Sequence, residues 1–355
     1  MKKVLITIPH PSFHGGVGNI FRILKLNNSE TIEYFPNTKA NTSADIWFSF
    51  TMVLRFLKHI RNFRIVHLNP SLDAKAIVRD GILLIIAKLC SKKVVVFFHG
   101  WDDRFEDKIK GSFIAQRVFA FAFSKADAYL LLGEVFYNKL LELGVSVKDV
   151  HYIPTIADDS FMTLPVSSGA KIPGVVRILF LGGFVPSKGI DIVINSFLKL
   201  QEAEREHKFE LILAGDGPDL NKWKGFIVQQ GIKGVTFTGY VTDEAKHILL
   251  SNADIFLFPS HSEGLPCAVM EAMLYGLAVV TRPIGAIPYW VRHNVNGWLS
   301  ESKDPKVFAE GIQFLTSQPE LLAAMRKSNS EIAISNFTPD RIRSRLLKIY
   351  DTLLK

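Results

Sequence analysis

Two cysteines in 355 residues, Cys90 and Cys267, cannot build a disulfide framework, and neither has the Cys or His spacing of a metal site. That excludes the small disulfide-stapled scaffolds and fits a reducing cytoplasm. Long apolar runs are missing as well. The longest, Ile82 to Ala87, falls far short of the ~20 residues that a bilayer-spanning helix needs. The start, Met1 to Pro9, is basic and then apolar, but its apolar part is short and has no small-residue cleavage site, so it reads as a strand and not as a signal peptide. Gly15-Gly16-Val17-Gly18 lacks the spacing of a dinucleotide fingerprint, which leaves NAD binding without support. No recognition motif accompanies the basic residues, so nucleic acid is not an expected partner.

What is present is a basic excess confined to one half. The net charge is +8, yet residues 1–157 hold 21 Lys+Arg against 13 Asp+Glu, and the remainder is balanced at 21 against 21. One half therefore faces something acidic: a membrane surface or a phosphorylated acceptor. The length exceeds one compact core, so two domains are expected.

Short β-branched and aromatic runs alternate with segments of helical period, the pattern of a parallel sheet covered on both faces. Strands are predicted at 3–8, 65–68, 94–98, 128–132 and 150–153, then at 177–181, 210–214, 235–238, 255–258 and 278–281. The stretch 158–174 gathers prolines, glycines, serines and aspartates and reads as the linker. The expected division is 1–157, the linker 158–174, 175–337, and a terminal helix 338–355. The fold class is α/β with two doubly wound halves.

In such sheets ligands settle at the carboxyl ends of the strands. The loops there carry glycine repeatedly: Gly15 and Gly16, Gly182 and Gly183, Gly215 and Gly217, Gly239 beside Tyr240, and Gly264. Backbone amides can then approach a diphosphate closely. The most informative stretch is His261-Ser262-Glu263-Gly264-Leu265-Pro266, with Glu271 eight positions beyond Glu263 and Gly276 closing the segment. Pro266 suits the first helical position and Gly276 the residue after the last turn. Glu271 then lies on a helix of Ala, Val, Met and Leu, where an ionised carboxylate needs hydrogen-bond donors. Vicinal hydroxyls would supply them.

Taken together, these elements resemble the retaining glycosyltransferases of family 4, whose GT-B fold has two facing Rossmann-like domains and a C-terminal helix crossing back to the first. The Glu-x7-Glu element is the most specific part. It is supported by Gly15-Gly16, Lys188-Gly189, Gly215-Asp216-Gly217-Pro218, Gly285-Ala286-Ile287-Pro288, Asn296-Gly297, and Phe337-Thr338 with the basic helix to Tyr350. The resemblance implies that the first domain binds the acceptor and the second the nucleotide-sugar donor. Glu271 would accept from the ribose hydroxyls and Glu263 would hold hydroxyls of the sugar. Lys188 would neutralise the diphosphate, together with backbone amides of Gly264, Leu265 and Cys267 at a helix start. Gly182 and Gly183 belong to the loop leading to that lysine, Gly239 and Tyr240 would read the base, and His99 would stand near the sugar. Gly15 and Gly16 would let the first domain approach the donor phosphates or the acceptor. The reaction would be sugar transfer, with retained configuration, to a hydroxyl of a glycan, lipid-linked or phosphorylated acceptor in cell-surface polysaccharide synthesis. Neither metal nor other cofactor is implied.

The sequence also departs from the family. Gly183 stands where the family has an arginine, Tyr289 replaces a glutamate, and Thr155 an asparagine; Arg282 is the candidate substitute cation. These departures keep two other readings open: an epimerase on the same fold, or a catalytically impaired carbohydrate-binding subunit. Individual residues have plainer readings too. Glu263 and Glu271 are compatible with solvated charges, His99 with a structural histidine, Lys188 with a loop lysine, and Asp102-Asp103 with a solvated pair. The segment 46–64 mixes Trp47, Phe50, Leu54 and Leu57 with Arg55, Lys58, Arg61 and Arg64. It fits either a helix lying on the anionic inner face of a membrane or a core helix with a basic outer side.

Overall fold

The structure is a computed structural model that describes residues 3–10, 12, 16–39, 46–163, 174–203 and 208–355. The chain divides into two compact units, Met1–Thr155 with Pro339–Lys355, and Ile156–Thr338. The first boundary thus falls ahead of the expected linker, whose residues 164–173 lie outside the described ones.

The first unit is built on β1 (Val4–Ile8), β2 (Ile32–Pro36), β3 (Ile65–Leu68), β4 (Ser71–Leu72), β5 (Lys93–Phe98), β6 (Gly100–Trp101), β7 (Ala128–Leu131) and β8 (Asp149–Tyr152). Six of them form one parallel sheet in the order β2-β1-β3-β5-β7-β8, and β4 pairs with β6. β1, β3 and β7 are buried along their whole length, as expected of strands covered on both faces. The sequence pattern missed β2. It carries Glu33 and ends on Pro36, both tolerated because the strand lies at the sheet edge. The terminal helix Pro339–Leu354 belongs to this unit. It buries Ile342, Leu346, Ile349 and Tyr350 at helical spacing. Tyr350 Oη lies 2.6 Å from His67 Nδ1 in β3, and Arg343 donates to the Leu24 carbonyl at 3.1 Å.

The second unit holds β9 (Val175–Leu181), β10 (Lys208–Ala214), β11 (Val235–Gly239), β12 (Ile255–Phe258), β13 (Ala278–Thr281) and β14 (Gly297–Leu299). The parallel sheet runs β11-β10-β9-β12-β13-β14, so by rank in the chain its order is 3-2-1-4-5-6. The direction of winding reverses between β9 and β12, which pair through Ile178–Ile255 and Leu179–Phe256. At such a switch point the loops after the two central strands diverge and leave a crevice at their carboxyl ends. β14 was missed because three residues are too few to show a period.

Candidate active site

The crevice of the second unit is made by the loops that leave β9 and β12. After β9 come Gly182 and Gly183, then a single 3-10 turn, Pro186–Lys188. Gly189 follows with φ +69°, and a Cβ there would stand 2.4 Å from the carbonyl oxygen of Pro259, so only glycine lets the two loops meet. They are then tied together: the His261 amide and Ser260 Oγ both donate to the Ser187 carbonyl, at 2.8 and 2.9 Å.

This join sets Lys188 against Glu263. Lys188 Nζ donates to Glu263 Oε1 at 2.5 Å, and Ser260 Oγ lies 2.8 Å from the same oxygen, its one proton shared between this carboxylate and the Ser187 carbonyl. The carboxylate is 10% exposed and the lysine 28%. An ammonium has three donors, so Lys188 keeps N–H groups for a further anion. From the other side Gly285, at φ +54°, presses on this loop. Its Cβ would stand 2.2 Å from the Glu263 carbonyl oxygen, and the Ala286 amide donates to the Gly264 carbonyl at 2.8 Å. The Gly285-Ala286 element of the sequence is therefore a clamp on Glu263.

Gly264, Leu265 and Pro266 lead into the helix Cys267–Leu274. Pro266 is the N-cap, in extended geometry with ψ 127°, and not the first helical residue expected from the sequence. Its ring offers no acceptor, so Pro266 itself caps none of the first amides of this helix, whose positive end lies next to Glu263 in the chain. The helix stops as expected. Gly276 has φ +67°, and the amides of Gly276 and Leu277 donate back to Met273 and Ala272.

Glu271 lies within this helix, among buried Val269, Met270, Ala272 and Met273. Its charge is met by a residue the sequence reading did not single out: Lys246 Nζ donates to Glu271 Oε1 at 2.6 Å. Burial pushes the Glu271 carboxyl above its ordinary range, and the ammonium of Lys246 opposes that push. Burial also disfavours the charge on Lys246, but the carboxylate of Glu271 outweighs it and raises the lysine. Asp158 adds negative charge that acts on both.

The remaining expected residues of this unit have distinct placements. Gly183 is open: a Cβ there would meet nothing nearer than 3.8 Å, whereas at Gly182 it would crowd Phe180 and Phe258 at 3.2 and 3.3 Å. Arg282 is committed to the loop after β12. It reaches His261 Nδ1 at 3.1 Å and the Glu301 carbonyl at 3.0 Å. His261 is held below its ordinary pKa by burial and by Arg282, which leaves its ring a neutral acceptor. Gly239 ends β11 with φ +74°, and Tyr240 beside it is exposed.

Three expected residues, Gly15, Gly16 and His99, and the alternative pair Asp102-Asp103 belong to the first unit. Gly15 falls outside the described residues, and Gly16 opens the helix Gly16–Leu24 after β1. His99 follows β5. Asn69 Nδ2 donates to the Thr7 carbonyl at 2.7 Å, which aims Asn69 Oδ1 at His99 Nε2, 2.8 Å away. His99 is thereby a donor through Nε2, while its Nδ1 is buried with no partner among the described residues. Burial, with His67 adding to it, lowers the ring to about 3, so it is neutral at physiological pH. Asp102 caps the helix Asp103–Lys110, and Asp103 pairs with Lys139, so this carboxylate pair has structural partners. Among the described residues, no group of three or more His, Cys, Asp or Glu side chains could hold a metal ion.

The structure thus joins Lys188 to Glu263 and sets Gly264, Leu265 and Cys267 beside them. It puts Glu271 on the helix Cys267–Leu274, paired with Lys246 of the helix Asp243–Asn252, and leaves His99 in a separate unit. Lys246 and Asn69 escaped the sequence reading because each acts on a residue distant in the chain, and Ser260 because its tie to the Ser187 carbonyl crosses from one loop to the other.

Residues 169–331 match the family described as glycosyl transferases group 1. The amylovoran biosynthesis glycosyltransferase AmsK of Erwinia amylovora is 26% identical over 256 residues, 69% of this chain and 61% of the relative. A putative colanic acid biosynthesis glycosyltransferase, WcaL of Escherichia coli, is 24% identical over 65% of this chain and 58% of its own length. The chain thus matches about three fifths of each. Among solved structures, Anabaena HepE in complex with UDP superposes with a TM-score of 0.75 at 16% identity, covering 99% of this chain and all of that one. A sucrose-phosphate synthase from Thermosynechococcus elongatus gives 0.71 at 15% identity over 100% of this chain and 99% of that one. The two parallel sheets give the chain the GT-B fold of these neighbours, and its second unit, which holds the Glu-x7-Glu helix, is similar to the glycosyl transferases group 1.

Proposed function

We propose that the protein is a retaining glycosyltransferase that moves a sugar from a nucleoside-diphosphate donor to a hydroxyl of a glycan, lipid-linked or phosphorylated acceptor. The observation that carries this reading is the join at the switch point of the second sheet, where Lys188 and Glu263 meet 2.5 Å apart beside the start of the helix Cys267–Leu274. A diphosphate placed there would meet an ammonium and helix-end amides. Glu263 would then hold hydroxyls of the sugar, and Glu271 those of the ribose. Positioning and charge stabilisation would do most of the work, with the departing phosphate helping to deprotonate the acceptor hydroxyl. Lys188 and the amides would carry the leaving charge without a metal. The biosynthetic names of the Erwinia and Escherichia relatives favour an acceptor in cell-surface polysaccharide synthesis, and the UDP complex of the Anabaena neighbour favours a nucleotide donor. Two cysteines, Cys90 and Cys267, are too few for a disulfide framework and suit a reducing compartment, so we place the protein in the cytoplasm, at the inner face of the membrane.

Calorimetric titration with a nucleoside diphosphate tests the two carboxylates separately. Glu271→Ala is expected to weaken binding by about ten- to a hundredfold, the worth of ~1.5–3 kcal/mol for hydrogen bonds to a charged group. Glu263→Ala is expected to spare binding and depress turnover. Equal nucleotide affinity for wild type and Glu271→Ala refutes this division of roles. The anomer released at early times, read by NMR, tests retention. Gly183 favours a second reading, a carbohydrate-binding subunit with impaired catalysis, which predicts nucleotide binding without turnover.

A further inference from the structure

The first unit carries an apolar groove that the donor chemistry does not use. Two helices form most of its walls, Ala74–Leu89 and Phe113–Phe123, and the cavity between them is about 860 Å³. The second helix, Phe-Ile-Ala-Gln-Arg-Val-Phe-Ala-Phe-Ala-Phe, is apolar on nearly every side. Phe119 and Phe123 turn inward, and Phe123 packs on Phe98 of β5. The opposite stripe, Ile114, Val118 and Phe121 at i, i+4 and i+7, is left outside together with Phe113, each 62–75% exposed. On the first helix Val78, Ile82 and Leu89 are exposed in the same manner. Gly81 lets the helices approach, with its Cα face against Phe123 and Ala122. Large apolar side chains grouped in this way mark an interaction surface.

The charges around the groove say what covers it. The two helices carry Lys75, Arg79, Lys88 and Arg117 against one acid, Asp80; Arg79 pairs with buried Asp80 and Lys88 with Asp127, each at 2.7 Å, so the excess rests on Lys75 and Arg117. Lys125 follows directly, and Lys108 of the helix Asp103–Lys110 lines the groove. That helix also brings Asp103 and Glu106, both ion-paired with Lys139, and Asp107. Cations sit on the exposed rings themselves: the Arg117 guanidinium lies 4.6 Å from the centre of Phe113, and Lys125 Nζ 4.2 Å from that of Phe121. Apolar rings topped by cations suit the boundary between acyl chains and anionic headgroups. A second copy of this chain would bring the same cations against these and be repelled. No helix among the described residues is long and apolar enough to cross a membrane, so the contact is with its surface.

We propose that the face formed by helices Ala74–Leu89 and Phe113–Phe123 docks the protein on an anionic lipid bilayer, with Phe113, Ile114, Val118 and Phe121 entering the headgroup boundary. This rests on the glycosyltransferase reading only for its purpose, which is to bring the enzyme to a lipid-borne acceptor. It also moves the membrane contact away from the segment 46–64. The helix Ile46–Ile60 turns Met52, Phe56 and Ile60 into the core, and of its described outer residues Phe50, Leu54 and Leu57 are the apolar ones.

The test is flotation of the full-length protein with vesicles of phosphatidylcholine alone or mixed with phosphatidylglycerol, at low and high salt. Wild type is expected to float with the mixed vesicles and to be partly released by salt. Ile114→Ser/Val118→Ser/Phe121→Ser should lose about tenfold or more of the bound fraction while still melting cooperatively, because these side chains are already 62–75% exposed. Phe50→Ser/Leu54→Ser should bind as wild type does. Absence of vesicle binding by wild type, or undiminished binding by the triple variant, overturns the proposal, as does a dimer in sedimentation that the triple variant dissolves. Nucleoside-diphosphate binding is measured on the same preparations. If it persists where vesicle binding is absent, only the docking surface falls; if it is itself absent, only the glycosyltransferase reading does.

Discussion

Replacing Lys246 by Met would leave Glu271 in its apolar helix without its cation. Both side chains are largely enclosed, the carboxylate 8% and the lysine 22% exposed, so the loss is that of a buried partner and not of a surface pair. Breaking such a pair costs about 3–5 kcal/mol when both groups are fully buried; with Lys246 partly wet, ~2–3 kcal/mol is expected. For a unit of this size that corresponds to roughly 4–12 °C in melting temperature. The loss should depend on pH in a definite direction. The folded-state pKa of Glu271 already lies above its ordinary value, and removing Lys246 removes what holds it down. A group raised in the folded state stabilises below its unfolded pKa, and that contribution is lost as pH rises through the folded one. Lys246→Met should therefore be more destabilised at pH 8 than at pH 5. Scanning calorimetry at the two pH values checks this, with Lys246→Met/Glu271→Gln as the companion. The double variant, with no charge left to bury, should recover most of the loss and its pH dependence. A pH-independent loss, or a double variant no better than the single one, refutes the reasoning.

Gly183→Arg should fold normally, since the position has ordinary space and is not among the left-handed glycines, and should tighten nucleoside-diphosphate binding by about tenfold, the gain of one charge-assisted contact. Titration of the variant against wild type reads this; unchanged affinity would mean that position 183 does not face the diphosphate. Gly285→Ala should cost about 2–4 kcal/mol, because the new methyl group strikes the Glu263 and Gly264 carbonyls at a backbone angle that suits glycine. Denaturant unfolding measures it, and turnover should fall with stability as the Glu263 loop shifts.

The alternation of apolar strands and helical segments was readable because buried parallel strands such as Ile255–Phe258 and Ala278–Thr281 must be continuously apolar, and ten strands follow from it. The edge strand Ile32–Pro36 was not, since an exposed edge tolerates Glu33 and a terminal proline. Glu263, Lys188 and Gly189 were visible as motif elements, but the reason for the glycine appears only when Pro259 is seen against it. Lys246 had no local signal at all. A lysine in the first part of an ordinary helix looks like a solvated charge until folding brings the helix Cys267–Leu274 beside it. The groove on the first unit was hidden for a related reason. Phe113 to Phe123 is so evenly apolar that its pattern cannot tell which stripe is core and which is left outside.

The loops after β9 and β12 are the proposed nucleotide-sugar site, on which the function of the protein depends. A panel of nucleotide sugars, scored by thermal shift and by release of the nucleoside diphosphate, tests it directly. The prediction is that at least one member stabilises the wild type and is cleaved, and that Glu271→Ala loses the stabilisation. No stabilisation and no release with any member, with divalent metal present or absent, would contradict it.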